Sequence, residues 1–447
     1  MPLNPLPLGV ADLITESVLV INDGYRAKNE ELASAGLPFA RAGNIDGGFQ
    51  FADADYFPEQ NLGRVGNKIS RPGDVVFTSK GTVGRFAYVA DSTPRFVYSP
   101  QLCFWRAVDQ ERLDSRWLFY WMQSSEFHEQ CDGVKGQTDM ADYVSLRDQR
   151  AMSITLPPID KQRTVGLLLG SLDDKIELNR RTNQTLESMA RAIFRSWFVD
   201  FDPVVAKAAG RQPFGMSADL AALFPDELVS DERGEIPFGW HFRPLAEVTT
   251  KIGSGATPRG GSAVYLPEGT GFIRSQNVLD HEFEWNGLAR ITDEAAQQLI
   301  GVSVREGDVL LNITGDSILR TCLVDSAVLP ARVSQHVAII RPSPGIPSRY
   351  LHLRLVDDEM KDFLIGFDAG GTRQAVTKAQ LETVPILVPS DALLTRFDEL
   401  TEPLFHRIDS NRVESRTLAV LRDTLLPKLM SGVLRVRDAE NLAGIHA

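Results

Sequence analysis

Arg41 and Asn44 lie in the segment Phe39-Ala40-Arg41-Ala42-Gly43-Asn44-Ile45, and the same types return as Arg274, Gln276 and Asn277 in Phe272-Ile273-Arg274-Ser275-Gln276-Asn277-Val278. An arginine can pair with the O6/N7 edge of guanine, and an asparagine or glutamine with the N6/N7 edge of adenine, so the repeated set suits a DNA groove. A second repeated set is a pair of loops carrying Lys80, Thr82 and Arg85 in one copy and Thr314 and Arg320 in the other. Glycines, hydroxyls and a cation in such loops let backbone amides approach phosphates. A third is Gly136-Gln137-Thr138 against Gly370-Gly371-Thr372-Arg373-Gln374. Thr257 and Arg259 sit in Gly253-Ser254-Gly255-Ala256-Thr257-Pro258-Arg259, a ligand-facing loop in which Pro258 stands where a dinucleotide loop needs its third glycine. Each loop alone is explained as well by a turn with solvated polar residues. Repeated together, they read as a binding face.

Catalytic signatures do not accompany these sets. There is no G-x-x-x-x-G-K-[ST], no H-E-x-x-H and no G-x-S-x-G. Phe201-Asp202-Pro203-Val204 lacks the aromatic of an amino-methyltransferase tetrapeptide, and Pro225-Asp226-Glu227 lacks the downstream acid-x-Lys of a nuclease core. The seven histidines show no metal-ligand spacing, and Cys103, Cys131 and Cys322 form no C-x-x-C pair. The expectation is a non-enzymatic binding protein with reduced, buried cysteines, no metal and no cofactor of its own. Net charge is −12, which opposes a simple basic DNA binder because phosphate neutralisation supplies most non-specific affinity. DNA binding would need local basic patches or partners that bring positive charge. No apolar run approaches the roughly 18 residues of a membrane span, and no basic-then-apolar leader opens the chain. A cytoplasmic protein without membrane contact is expected.

The elements that must position the polar sets are themselves repeated. Gly73-Asp74-Val75-Val76 recurs as Gly307-Asp308-Val309-Leu310, and Ser115-Arg116-Trp117-Leu118 as Ser348-Arg349-Tyr350-Leu351. With 447 residues, 43% hydrophobic and 24% charged, the chain is an ordinary globular composition of about two to four domains. Short β-prone runs between turn residues, with a few helices, predict a mixed α/β domain in residues 1–158, repeated in 240–390. After Pro158 the pattern changes. Val165, Leu169, Leu172, Ile176, Asn179, Asn183, Leu186, Ala190, Ile193 and Trp197 alternate at spacings of four and three, the seam of a long coiled-coil helix within 159–203. Roughly 38 residues would span ~55 Å. A matching helix in 391–432 carries Leu404, Ile408, Asn411 and Leu418 at the places of Leu172, Ile176, Asn179 and Leu186. Residues 204–239, rich in Ala, Gly, Pro and acids, read as a linker, and 433–447 as a tail.

Two helices of equal length in one chain can pair, and antiparallel packing accounts for both the repeat and the matched lengths, with a pseudo-twofold relation between the halves. Leu172, Ile176, Asn179, Leu186, Leu404, Ile408, Asn411 and Leu418 would line the interface. Under that symmetry Asn179 and Asn411 either meet as a polar layer that sets register or sit at the seam edge and bond water. The end of the first helix is apolar nearly all round, with Met189, Phe194, Trp197 and Phe198. These four are assigned to a partner-subunit interface, the alternative cover being the chain's own globular domain.

Three segments then resemble a known family. Leu156-Pro157-Pro158-Ile159-Asp160-Lys161-Gln162-Arg163, Leu172-Asp173-Asp174-Lys175-Ile176-Glu177-Leu178-Asn179 and Phe194-Arg195-Ser196-Trp197-Phe198-Val199-Asp200-Phe201-Asp202-Pro203 together look like the central repeat of specificity subunits of type I restriction–modification systems. Gly234-Glu235-Ile236-Pro237-Phe238-Gly239-Trp240 is similar to the entry of their second target-recognition domain, and Leu425-Leu426-Pro427-Lys428-Leu429-Met430-Ser431-Gly432 to the end of their distal helix. The first domain shows no counterpart of Ser254-Gly255-Ala256-Thr257-Pro258-Arg259. The resemblance implies two target-recognition domains held by antiparallel helices, each reading half of a split sequence in double-stranded DNA. It implies two methyltransferase subunits docked on the helices, using S-adenosylmethionine, and restriction subunits using ATP and Mg. Competing readings are a protein scaffold with two repeated protein-binding domains, or a nuclease with an unrecognised site.

Overall fold

The computed structural model describes residues 6–45, 47–81, 83–134, 143–366, 375–434 and 438. The chain divides into two compact units, the first Met1–Asn179 with Glu414–Ala447 and the second Arg180–Val413. Two 40-residue helices, Ile159–Phe198 and Asp391–Met430, each give one half to each unit.

In the first unit a four-stranded antiparallel sheet runs in the order Leu19–Asp23, Leu102–Ala107, Asp74–Thr78, Phe86–Tyr88. A smaller sheet joins Tyr56–Phe57, Leu37–Ala40 and Val97–Tyr98, with the last two parallel. The second unit repeats this order with Thr249–Ser254, Val337–Pro342, Val309–Asn312 and Thr321–Leu323. Its second sheet again contains one parallel pair, Thr270–Ile273 with Ala331–Val333. The sequence repeat is therefore a repeat of topology.

Alternation explains why the central strand is apolar on both faces. Val75 and Phe77 join a core with Trp105, Trp117 and Trp121, whereas Val76 joins Ala40, Tyr98 and Phe104 on the other face. Val309 and Leu311 pack with Tyr350 and Leu351, and Leu310 packs with Ile273 and Val333. The strand begins on a buried acid. Asp74 has no exposure and accepts from the Arg106 guanidinium at 2.6 and 2.7 Å, from the Tyr98 hydroxyl at 2.7 Å and from the Arg71 amide at 2.9 Å. Asp308, equally buried, accepts from Arg341 at 2.7 and 2.8 Å and from the Arg305 amide at 2.7 Å.

Within each unit the helix halves run antiparallel. In the first, Arg422 pairs with Asp173 at 2.6 Å, Lys175 with Glu414 at 3.3 Å, and Leu172 shares a core with Leu425 and Leu429. In the second, Arg412 pairs with Glu187 at 3.1 Å and Phe198 packs on Phe397 at 5.0 Å. Leu172 and Ile408 are buried, and Ile176, Leu186, Leu404 and Leu418 are half-buried. Asn179 and Asn411, 2% and 1% exposed, both bond across to the opposite helix. Asn179 donates to Glu414 at 2.8 Å and to Ser415 at 3.3 Å, and Asn411 donates to Asn183 at 2.8 Å. Burial of this kind replaces water at the seam edge with cross-helix amide and hydroxyl partners.

Two expectations are corrected here. Residues 204–239 are not an open linker: they carry the helices Asp202–Ala208 and Ala218–Ala221 and the hairpin Leu228–Asp231/Gly234–Pro237. Val204, Phe224 and Ile236 of this segment are buried in the core of the second unit. That segment closes the face assigned to a partner. Phe194, Trp197 and Phe198 are 2–3% exposed, with Phe224 edge-on to Trp197 at 5.1 Å, Trp240 5.8 Å from Phe198, and Tyr350 and Phe397 each 5.0 Å from Phe198. Of the four residues assigned to a partner, Met189 alone stays exposed, at 48%. Cys103, Cys131 and Cys322 are free and buried. Among the described residues no helix is long and apolar enough to cross a membrane.

Two predictions follow from buried groups. Asp74→Ala leaves Arg106 buried without its counter-charge, a loss of about 3–5 kcal/mol. Calorimetry of the whole chain should show the first unit's transition lowered and the second unit's kept; equal shifts in both would contradict this assignment. In the second unit His281 Nδ1 lies 3.2 Å from His352 Nε2. Burial pushes His281 down to about 4 and His352 well below its ordinary value. Unfolded histidines titrate near about 6.5, so below that pH the unfolded chain takes up protons that the folded unit refuses. Stability is therefore full above about 6.5 and falls toward about 4, with a limiting slope of about 1.4 kcal/mol per pH unit per histidine. Melts from pH 8 to pH 5 should show this decline, weakened in His352→Leu.

Candidate nucleic-acid interface

The polar sets cluster where the large sheet meets the parallel strand pair. Gly24 lets the chain leave Leu19–Asp23 against the backbone of Ser99: a Cβ there would sit 2.0 Å from the Ser99 carbonyl oxygen. Gly255 stands at the same place after Thr249–Ser254, where a Cβ would sit 1.7 Å from the Val333 carbonyl oxygen. The pairings Asp23↔Cys103 and Ser254↔Ala338 confirm the register. The first domain thus does have a counterpart to Ser254-Gly255, namely Asp23-Gly24. Side-chain divergence beyond the glycine conceals it in the sequence.

The structure separates the expected readers into exposed groups and framework. Asn277 is 0% exposed and both ends of its amide are used: Oδ1 accepts from the Arg274 amide at 3.0 Å, and Nδ2 donates to the Glu284 carbonyl at 2.9 Å. Asn44 does the same with the Arg41 amide at 2.8 Å and the Gln50 carbonyl at 3.0 Å. Both close a 3₁₀ turn. Asn277 cannot reach a base edge, because burial and two backbone bonds consume its capacity; this corrects its assignment. Arg274 is half-buried and donates to the Gly287 carbonyl at 2.7 Å, while its neighbour Gln276 is exposed.

In the first unit, Arg41 is exposed, pairs with Asp55 at 2.6 Å and lies over Phe39 at 5.6 Å. It lines a cavity of about 430 Å³ together with Lys80, Phe39, Leu32, Ser99 and Gln101. The Ala42 amide donates to Gln101 Oε1 at 3.3 Å. Arg85 is half-buried, and its amide donates to Thr78 Oγ1 at 3.1 Å. In the second unit, a short chain of polar side chains occupies the matching rim. Thr257 donates to Gln335 Oε1 at 2.7 Å, Gln335 Nε2 lies 3.1 Å from His336 Nε2, and His336 Nδ1 lies 2.6 Å from Thr314 Oγ1. Arg259 and Arg320 are exposed nearby in sequence, on the loops that carry Thr257 and Thr314. Thr82, Gln137, Arg373 and Gln374 lie outside the described residues.

Gln101, Gln335 and His336 escaped the reading of the sequence. Their signal is faint: Ser99-Pro100-Gln101-Leu102 against Ser334-Gln335-His336-Val337, where only the serine is shared. Among the described residues no group of acids, cysteines and histidines is placed to hold a metal ion. The surface offers amide, imidazole, hydroxyl and cationic heads, a chemistry of hydrogen-bond recognition.

Comparison with known proteins agrees with the geometry. Residues 16–188 match the model of the type I restriction modification DNA specificity domain. The chain is 25% identical over 411 residues to the type I restriction enzyme HindI specificity subunit of Haemophilus influenzae, covering 82% of this chain and 87% of the relative. It is 23% identical to the MjaIX specificity subunit of Methanocaldococcus jannaschii, covering 83% and 80%. The fold matches that of the type I restriction–modification S subunit from M. genitalium, with a TM-score of 0.57, 14% identity and 96% of both chains covered. A repeated mixed α/β domain joined to long antiparallel helix halves accords with the DNA specificity domain that residues 16–188 match and with the type I specificity subunits to which most of the chain is similar.

Proposed function

We propose that this chain is the sequence-reading subunit of a type I complex, each unit recognising one half of a bipartite target in double-stranded DNA. Two methyltransferase subunits dock on its helices and bind S-adenosylmethionine; restriction subunits supply ATP- and Mg-dependent steps. The chain reads and positions, and its partners carry out the chemistry. The observation that carries this reading is one frame built twice with different exposed polar heads: Arg41, Lys80 and Gln101 in one unit, Thr257, Gln335 and His336 in the other. With a net charge of −12, the chain alone should hold DNA weakly, the partners supplying much of the phosphate contact.

The test is co-expression with the methyltransferase subunits in a host without adenine methylation, followed by sequencing for modified adenines. One split motif is expected; complete assembly with no motif would favour the scaffold. Adjacent residues give a sharper readout. Gln276→Ala, at an exposed head, should relax one half of the motif, with about 1–3 kcal/mol of base discrimination lost. Asn277→Ala, next to it but buried, should lower stability by about 1–3 kcal/mol and leave the motif intact.

A further inference from the structure

Gln101 and His336 occupy one backbone position in two copies of the fold. The Ser79 amide donates to the Gln101 carbonyl at 3.1 Å, and the Ile313 amide to the His336 carbonyl at 3.0 Å. Two residues earlier, the Ser99 amide donates to Ala40 at 3.0 Å and the Ser334 amide to Ile273 at 2.9 Å. The surroundings are shared as well: the glycines Gly24 and Gly255, the asparagine-closed turns, and a buried serine whose Oγ has no hydrogen-bond partner among the described residues, Ser99 in one unit and Ser334 in the other. The side chains leaving this common frame are not shared.

In the first unit Gln101 is exposed, and it lines the same cavity as Lys80, Arg41 and the unpartnered Ser99. Among the described residues its Oε1 alone has a backbone partner, the Ala42 amide at a long 3.3 Å, so the amide can turn both donor and acceptor outward. In the second unit His336 is exposed between Thr314 and Gln335. A common frame holds the two heads at equal places, and the heads differ in what they can donate and accept. That is the division of labour a duplicated reader of unlike half-sites requires.

We infer that Gln101 and His336 are specificity-determining residues, each setting base choice in its own half-site. The donor–acceptor pair of Gln101 fits the N6/N7 edge of adenine, with Lys80 and Arg41 suited to an adjacent guanine. His336, with Gln335 and Thr314, reads the other half. This rests on the DNA-reading function proposed above.

The experiment is co-expression of wild type, Gln101→Ala, Gln101→His, His336→Ala and His336→Gln with the methyltransferase subunits, scoring modified adenines across a genome. The Gln101 variants should change one half of the split motif, and the His336 variants the other. The preference for the cognate base over its substitutes should fall about tenfold or more at the affected position. An unchanged motif in every variant overturns the inference while leaving the DNA-reading function standing. Altered bases in both halves from one substitution also overturn it. Loss of all modification shared by Gln101→Ala and Gln101→His assigns the residue to folding and overturns it too. No motif from the wild type, with the complex assembled, sinks the underlying function instead.

Discussion

A carboxylate with no exposure at the head of an apolar strand costs several kcal/mol in lost hydration, and it persists only where a counter-charge and further donors meet it. Asp74 and Asp308 have that arrangement, each gripped by two guanidinium bonds and by the amide of the turn before it. The consequence is positional. The acid ties the turn to the sheet and its arginine to the neighbouring strand, so the central strand has one register, and a one-residue slip would turn every side chain over. What leaves the far end of that strand, Ser79-Lys80 in one unit and Ile313-Thr314 in the other, inherits the same fixed origin. The polar rim depends on an ion pair whose carboxylate has no exposed surface.

Seen from this framework, repetition in the sequence carries a different meaning from the one first attached to it. The motifs that recur with identical residues are mostly structural. Gly-Asp heads the central strand, Asn44 and Asn277 close a turn, and the Ser-Arg pair starts a helix docked on the long helices. If the two units read unlike half-sites, as proposed above, identity marks the frame and difference marks the readers. The polar repeats of the sequence fall on both kinds of position, exposed heads such as Gln276 and buried framework such as Asn277. Asn277 was legible as a repeated amide, yet its burial depends on partners at Glu284 that no local pattern reveals. Gln101 and His336 were illegible for the opposite reason, since their equivalence lies in backbone hydrogen bonds rather than in residue type.

The long helices were the most legible elements, because a heptad seam is a local periodic signal. Their surroundings were not. Aromatic density at Phe194, Trp197 and Phe198 says that a cover is needed but not who provides it, and the cover came from a segment whose composition resembles a linker. The same junction is solved with different chemistry in the two repeats. In the first unit, Gly166 and Gly170 leave room for Arg116 to lie across the helix and reach Asp174 at 2.8 Å. In the second, Asp398 and Glu402 stand at the corresponding heptad positions, and Arg349 pairs with Asp398 at 2.8 Å. An arginine–aspartate pair ties the docked helix in both units, reached across a glycine-lined groove in one and made directly at the groove position in the other.

Charge accounting closes the physical picture. Many of the chain's cations are already committed: Arg106 and Arg341 inside the sheets, and Arg116, Arg349, Arg412 and Arg422 on the helices. A net charge of −12 remains. Non-specific attraction to DNA grows with the number of phosphates neutralised, and base discrimination grows with the heads placed in the groove. A subunit poor in the first and furnished with the second favours discrimination over grip, because weak backbone contact leaves wrong sequences with little to hold them. On the function proposed above, affinity would enter through assembly, partners adding positive charge around rims whose geometry the buried acids have already set.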